Sequence, residues 1–300
     1  MLKVTAGASA ALAFGRLPAL AQQPSAIMKR PIPSSGELIP VVGLGTARTF
    51  DVGAAAEERA PLREVLEAFV ELGGTLLDTA PGYGESEAVS GELAKSAGLT
   101  DRLFMATKVA AEAREQGIAQ MEESMRLLNR QVIDLMQVHN LRGWETQLAT
   151  LREWKAAGRL RYIGITTSSL RQYDAFAAVM EKQELDFVQL NYSLGTRAAE
   201  ERLLPLAADR GMAVLVNLPY MRGRLFQAVE GRELPEWAAE FDAKSWGQFF
   251  LKYVISHPAV TCPIPATTKV RHLRDNMGAA FGRLPDETMR KRMVEFFDAL

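Results

Sequence analysis

The hydrophobic pattern of this chain changes period again and again. From residue 41 onward, short runs rich in β-branched residues and leucine alternate with longer stretches whose apolar positions recur every three or four residues, with turn residues between. The runs VVGLG (41–45), TLLDTA (75–80), RLFMATKV (102–109), VIDLMQVH (132–139), LRYIGIT (160–166), DFVQLNY (186–192), MAVLVNL (212–218) and VTCPIP (260–265) predict eight strands. PLREVLEAFVELGG places Leu62, Val65, Leu66, Phe69, Val70 and Leu72 on one helical face and stops at Gly73-Gly74. SEAVSGELAKSAG, IAQMEESMRLLN, TQLATLREWKAAG, LRQYDAFAAVMEKQ and AAEERLLPLAADRG carry the same period. Strand then helix, repeated, is the signature of a parallel sheet.

An open doubly wound sheet and a closed (β/α)8 TIM barrel both satisfy that order. The strand number and the chain length favour the barrel, which needs roughly 250 residues. The segment GLGTARTF after the first strand also lacks the third glycine and the helix start of a dinucleotide fingerprint. No Pro/Gly linker divides the chain, so one domain is expected over 31–300, with 219–243 as a long loop on one face.

The first thirty residues differ in kind. MLKVTAGASAALAFGRLPALAQQ offers one early lysine, a mild Ala/Gly-rich stretch and Ala19-Leu20-Ala21 before Gln22, which predicts a signal-like leader over 1–30 and an exported, periplasmic protein. Leu2-Lys3 followed by VTAGASAALA resembles the tail of a twin-arginine export signal. The stretch is too short and too mild for a membrane span. An Ala-rich leader on a cytoplasmic protein is the alternative.

Charge and cysteine content narrow the function classes. A formal net charge of -1 supplies no basic field for nucleic acid or an anionic membrane, so a small-molecule partner is expected. The one cysteine, Cys262, lies in an apolar run and reads as a small buried hydrophobe. The three histidines are scattered, without metal-ligand spacing.

In a β/α barrel the site is built at the carboxyl ends of the strands, so polar residues there need a reason. Asp78, Lys108, His139, Thr166, Thr167, Gln189 and Asn191 all end apolar strands. A buried aspartate and lysine on adjacent strands offset each other's desolvation. An ammonium beside a phenol favours the phenolate, and Tyr83 follows Asp78 on a glycine-flanked turn, so Tyr83 is a candidate general acid. His139 offers a ring N–H that could orient a carbonyl oxygen. Singly, a core histidine or a plain salt bridge explains each; all four at one mouth argue for catalysis.

The chain resembles the aldo/keto reductase superfamily along nearly its whole length after the leader. GLGT (43–46), DTAPGYGESE (78–87), ATKV (106–109), DLMQVHN (134–140), GIT (164–166), VQLNYS (188–193), LPYMRGRL (218–225) and IPATTKVRHLRDNMGA (264–279) carry the resemblance. It implies an NADPH-dependent reductase of small aldehydes or ketones, with the family's four catalytic positions on Asp78, Tyr83, Lys108 and His139. Tyr83 would deliver the proton, Lys108 set by Asp78 would tune it, and His139 would position the carbonyl, with no metal. For the cofactor, the resemblance implies Gly45 and Thr46 of the GLGT turn, Gln189 and the strand-five end at Thr166 and Thr167, and the strand-seven end at Asn217 and Leu218. Thr267, Thr268, Lys269, Arg271, His272 and Asn276 would hold the adenine ribose phosphate and the adenine.

The chain departs from the family pattern at three places. Thr166-Thr167 stands for a usual Ser-Asn, Asn217 for an aromatic ring, and His272 for the usual arginine. An exported, cofactor-loaded binding or sensor protein with little turnover is therefore an alternative. A Schiff-base isomerase or aldolase using Lys108 is another. Trp144, Phe50, Tyr220 and Met221 are candidate pocket walls.

Overall fold

The computed structural model of the protein describes residues 26–300. The signal-like stretch with its Ala19-Leu20-Ala21 site lies outside the described residues. The described chain opens with an antiparallel hairpin, β1 (Lys29–Pro31) and β2 (Leu38–Pro40). The folded part therefore takes in residues before 31, and the Met28 N–H donates to the Ala280 carbonyl at 2.9 Å.

The eight expected strands form one parallel sheet, β3 (Leu44–Gly45), β4 (Leu76–Asp78), β5 (Phe104–Val109), β6 (Ile133–Val138), β7 (Leu160–Thr166), β8 (Phe187–Asn191), β9 (Ala213–Asn217) and β10 (Cys262–Pro263), in chain order. The sheet closes on itself: the N–H groups of Gly43 and Gly45 donate to the carbonyls of Pro263 and Pro265 at 2.9 and 3.1 Å. A Cβ at Gly45 would lie 2.7 Å from the Ile264 carbonyl oxygen, so this seam requires glycine.

Alternation along each strand sorts residues into two cores. Leu76, Phe104, Ala106, Leu135, Tyr162, Phe187, Ala213, Leu215 and Cys262 face the barrel axis, with Ile32 and Ile39 of the hairpin closing the amino-terminal end. Their outward neighbours, such as Leu77, Met105, Met136, Ile163 and Val214, pack against the helices. Cys262 is fully buried there, as its apolar run predicts.

The helices are α1 (Ala56–Glu71), α2 (Ser86–Ser96), α3 (Arg114–Leu127), α4 (Trp144–Ala156), α5 (Tyr173–Lys182), α6 (Leu203–Asp209), α7 (Arg224–Ala228), α8 (Trp246–Ser256), α9 (Val270–Gly278) and α10 (Glu287–Asp298). Helix α1 begins a turn earlier than its apolar period suggests, with Glu57 and Glu58 favourably placed at its positive end. The expected loop over 219–243 contains α7 and two 3-10 turns, Met221–Gly223 and Glu236–Phe241.

Helix α10 is tied to the barrel by Arg290, whose guanidinium donates to Ser256 Oγ, Tyr192 Oη and Glu200 Oε1, each at 2.7 Å. Tyr253 Oη donates to the same Glu200 oxygen at 2.9 Å. Arg290→Met leaves that carboxylate without its cation and is expected to cost about 2 kcal/mol. Urea unfolding followed by circular dichroism checks this, with a lowered midpoint and unchanged activity in dilute buffer expected.

Candidate active site

At the carboxyl end of the barrel the inward-facing positions turn polar. Asp78, Lys108, Gln137, Thr166 and Gln189 are all buried, and Asn217 completes the ring half-buried. Above it opens a cleft of about 760 Å³, walled by the loops that follow the strands. Six non-glycine residues with positive φ lie in those loops: Arg48, Asn140, Leu141, Leu218, Met221 and Arg222. Backbone held in that region costs free energy and clusters where a loop must aim a side chain.

Asp78 and Lys108 form the buried pair that their strand positions predict, Nζ to Oδ1 at 2.7 Å, and Nζ also donates to the Thr79 carbonyl at 2.7 Å. Burial alone would depress the lysine; Asp78, and then Tyr83, outweigh it and hold the ammonium above its ordinary pKa. An ammonium held by Asp78 and the Thr79 carbonyl lacks the free amine that a Schiff base needs, which argues against the isomerase or aldolase alternative.

Tyr83 reaches over this pair from the turn after β4. Its N–H donates to the Ala80 carbonyl at 3.1 Å and its carbonyl accepts from Ser86 at 3.2 Å, which fixes the ring's base. Gly84 has φ +61, and a Cβ there would lie 2.1 Å from Asp51 Oδ1, so a side chain would have to displace Asp51. The Lys108 ammonium stands 5.0 Å from the centre of the Tyr83 ring. His139 meets the same ring edge-on, with centroids 5.8 Å apart.

Burial, and then the Lys108 charge, push His139 down to about 4. At neutral pH the imidazole is therefore uncharged, a donor of one N–H and no reservoir of protons. The unfolded histidine titrates near 6.5, so as pH falls from there to about 4 the unfolded chain takes up a proton that the folded one refuses. Folding stability is expected to drop by at most about 3 kcal/mol across that window. Comparing urea midpoints of the wild type and His139→Gln between neutral and acidic pH checks it: the variant's slope should be shallower.

Two residues that contact the site escape the sequence. Gln137, paired in register with Lys108, donates from Nε2 to Asp78 Oδ2 at 3.4 Å, beside the 2.8 Å bond from Gln189 Nε2 to the same oxygen. Inward alternation in IDLMQV was the signal that could have found it. Glu87, buried on α2, accepts from Thr107 Oγ1 at 2.5 Å and Ser124 Oγ at 3.2 Å, and its burial raises its pKa. It braces the outer face of β5 beside Lys108. Gln137→Leu is expected to lower kcat several-fold without moving KM, since it loosens the carboxylate that orients Lys108; steady-state kinetics decide this.

Of the cofactor candidates, Gly45, Thr46, Thr166, Gln189, Asn217 and Leu218 line the cleft. Thr167 stands behind the wall: its hydroxyl donates to Gln172 Oε1 at 2.6 Å and its carbonyl accepts from Asn217 Nδ2 at 3.1 Å. Thr268 and Lys269 lead into α9 and Arg271 and His272 lie in its first turn, all beyond the wall residue Ala266. Thr267 Oγ1 accepts from the Lys269 N–H at 3.1 Å, shaping that helix start. Asn276 is turned inward, its Oδ1 accepting from Tyr220 Oη at 2.6 Å. Among the four pocket-wall candidates only Tyr220 lines the cleft. Phe50 is in the core, and Trp144 and Met221 pack at its edge. Among the described residues no cluster of His, Cys, Asp or Glu could hold a metal ion, and no helix is long and apolar enough to cross a membrane.

Comparison with known proteins agrees with this geometry. The model of the Aldo/keto reductase family matches residues 41–293. The aldo-keto reductase YhdN of Bacillus subtilis is 32% identical over 217 residues, 67% of this chain and 63% of that protein's own length, so the match spans under two thirds of that relative. Methylglyoxal reductase YeaE of Escherichia coli is 29% identical over 258 residues, covering 83% of this chain and 89% of that protein. Among solved structures, an aldo-keto reductase from Klebsiella pneumoniae in complex with NADPH superposes with TM-score 0.75 at 22% identity, over 90% of this chain and 96% of that one. The AKR11C1 enzyme of Bacillus halodurans gives 0.73 at 21% identity over the same shares. These two likenesses establish the barrel; the family match, together with the site, establishes the lineage. The chain belongs to the aldo/keto reductase family.

Proposed function

We propose that the protein is an NADPH-dependent reductase of small aldehydes or ketones, with Tyr83 as its general acid. The observation that carries this is Tyr83 poised over a fully buried Lys108–Asp78 pair, with a neutral His139 against its ring. The relatives named for methylglyoxal reduction and solved with NADPH support it.

The cleft fits the dinucleotide. Asn217 Oδ1 is buried and has no partner among the described residues, an acceptor suited to the carboxamide N–H of a nicotinamide. Arg222, which forms no ion pair among the described residues, walls the same side, and Lys269 and Arg271 follow at the α9 start. Bound there, the cofactor supplies the hydride. His139 donates its one ring N–H to the substrate oxygen and aligns it with Tyr83 Oη. As charge grows on that oxygen, Tyr83 releases its proton, and the Lys108 ammonium stabilises the phenolate left behind. Asp78, anchored by Gln189 and Gln137, keeps the ammonium in place.

Purified protein mixed with NADPH and a panel of carbonyls should consume the NADPH absorbance. Tight NADPH binding with no consumption by any carbonyl would overturn the proposal in favour of a binding or sensor protein. We further propose export to the periplasm, supported by the lysine, the mild apolar stretch and the Ala19-Leu20-Ala21 site. Intact-mass measurement of the protein from a periplasmic fraction should find a mature chain beginning near Gln22; a chain retaining Met1 would refute it.

A further inference from the structure

We propose that Arg48 makes this enzyme selective for small oxo acids, carbonyl compounds that carry a carboxylate. The inference rests on the reductase reading above and adds the substrate class. Its basis is the asymmetry of the cleft. The hydrocarbon in the walls, Leu218, Pro219, Phe226, Ile264 and Pro265, is on the side of β9 and β10. Around Tyr83 and His139 the wall is instead Ala47, Arg48, Thr49, the backbone of Gly82 and Gly84, and Asn140, with no hydrocarbon larger than a methyl group apart from the arginine's stem. An apolar or aromatic carbonyl would find only small methyl groups there to bury against.

That side is also rich in donors. Asn140, at φ 53, spends its Oδ1 on the Ser168 N–H at 3.3 Å, while its amide nitrogen donates to nothing among the described residues. Lys108 is neutralised by Asp78 and contributes no net charge to the mouth. The wall's one other acid, Asp51, accepts from the Glu85 N–H at 3.0 Å, and its charge meets the positive end of α2. Arg48 is left as the cation of this half, without an ion-pair partner among the described residues.

Its placement is built. Thr49 and Phe50 both return N–H bonds of 3.0 Å to the Thr46 carbonyl, and Phe50 is fully buried, so the turn is anchored at both ends. Arg48 sits at its tip with φ 65. The turn leans on the Tyr83 loop through the Asp51–Glu85 bond and through Ser86 Oγ, which donates to the Thr46 carbonyl at 3.4 Å. This sets Arg48 on the turn bonded to the Tyr83 loop, in the wall of the same cleft, where a guanidinium pairs well with a substrate carboxylate.

Steady-state kinetics with matched pairs test this: 4-oxobutanoate against butanal, and glyoxylate against glycolaldehyde, with NADPH affinity followed separately by fluorescence. The acid of each pair should have a kcat/KM about tenfold or more above its neutral partner. Arg48→Gln should erase that preference, mainly through KM, and Arg48→Lys should restore part of it, while NADPH affinity stays unchanged in both. A wild type that prefers the neutral partners overturns the inference. So does an Arg48→Gln variant that binds NADPH more weakly and keeps the acid preference, which would give the arginine to the cofactor's diphosphate. If no carbonyl is turned over at all, the reductase reading fails, and binding then decides this one: the NADPH-loaded protein must still bind 4-oxobutanoate more tightly than butanal.

Discussion

Replacing Tyr83 with phenylalanine is expected to lower kcat by about a thousandfold while NADPH binds as before. Proton delivery by a positioned acid contributes some 10²–10⁴ in rate, and no other group at this mouth can take it over. His139 is uncharged at neutral pH, and Lys108 is locked by two bonds of 2.7 Å. The phenyl ring keeps the edge contact with His139, so the turn and the cleft should survive. NADPH titration by fluorescence and turnover by absorbance separate the two effects. Activity within tenfold of the wild type would remove Tyr83 from the mechanism.

Lys108→Met should harm both activity and folding. Asp78 is 2% exposed, and with the ammonium gone its carboxylate keeps only the amides of Gln189 and Gln137. Breaking a buried pair from one side costs about 3–5 kcal/mol, because the surviving charge has no water to return to. Turnover should fall by at least about a hundredfold as the phenolate loses its cation. The double variant Asp78→Asn/Lys108→Met separates the roles: it should regain much of the stability, measured by urea midpoint, and none of the activity. Recovery of activity in the double variant would show that the pair serves structure alone.

The eight strands were legible because a parallel sheet buried on both faces concentrates apolar residues into short runs. The four candidate catalytic residues were legible because each interrupts such a run, or follows it on a glycine turn. Other parts were hidden for physical reasons. Helix α8 is buried from Gly247 to Ile255, so it shows no polar face to betray its period. Gln137 looks like an ordinary strand residue until alternation places it inward against Asp78. The hairpin β1–β2 is short, and its role as a barrel plug depends on contacts with residues far along the chain, such as Tyr162, whose hydroxyl donates to Ser35 Oγ at 2.7 Å. Thr167 and Asn276 matched a family pattern by position, yet their side chains satisfy partners within the protein. Alignment reports a residue's place, not which way it faces.

The seam between β3 and β10 also bears on biosynthesis. Its bonds join Gly43 and Gly45 to Pro263 and Pro265, so nearly the whole chain must leave the ribosome before the barrel can shut. Until then the nascent protein is an open sheet with two unpaired edges, the form most exposed to aggregation and to chaperones. The segment that completes the seam runs on through Ala266 into α9, so the last strand to be made also finishes the cleft. Closure and readiness for cofactor thus arrive together, as one late event in the life of each molecule.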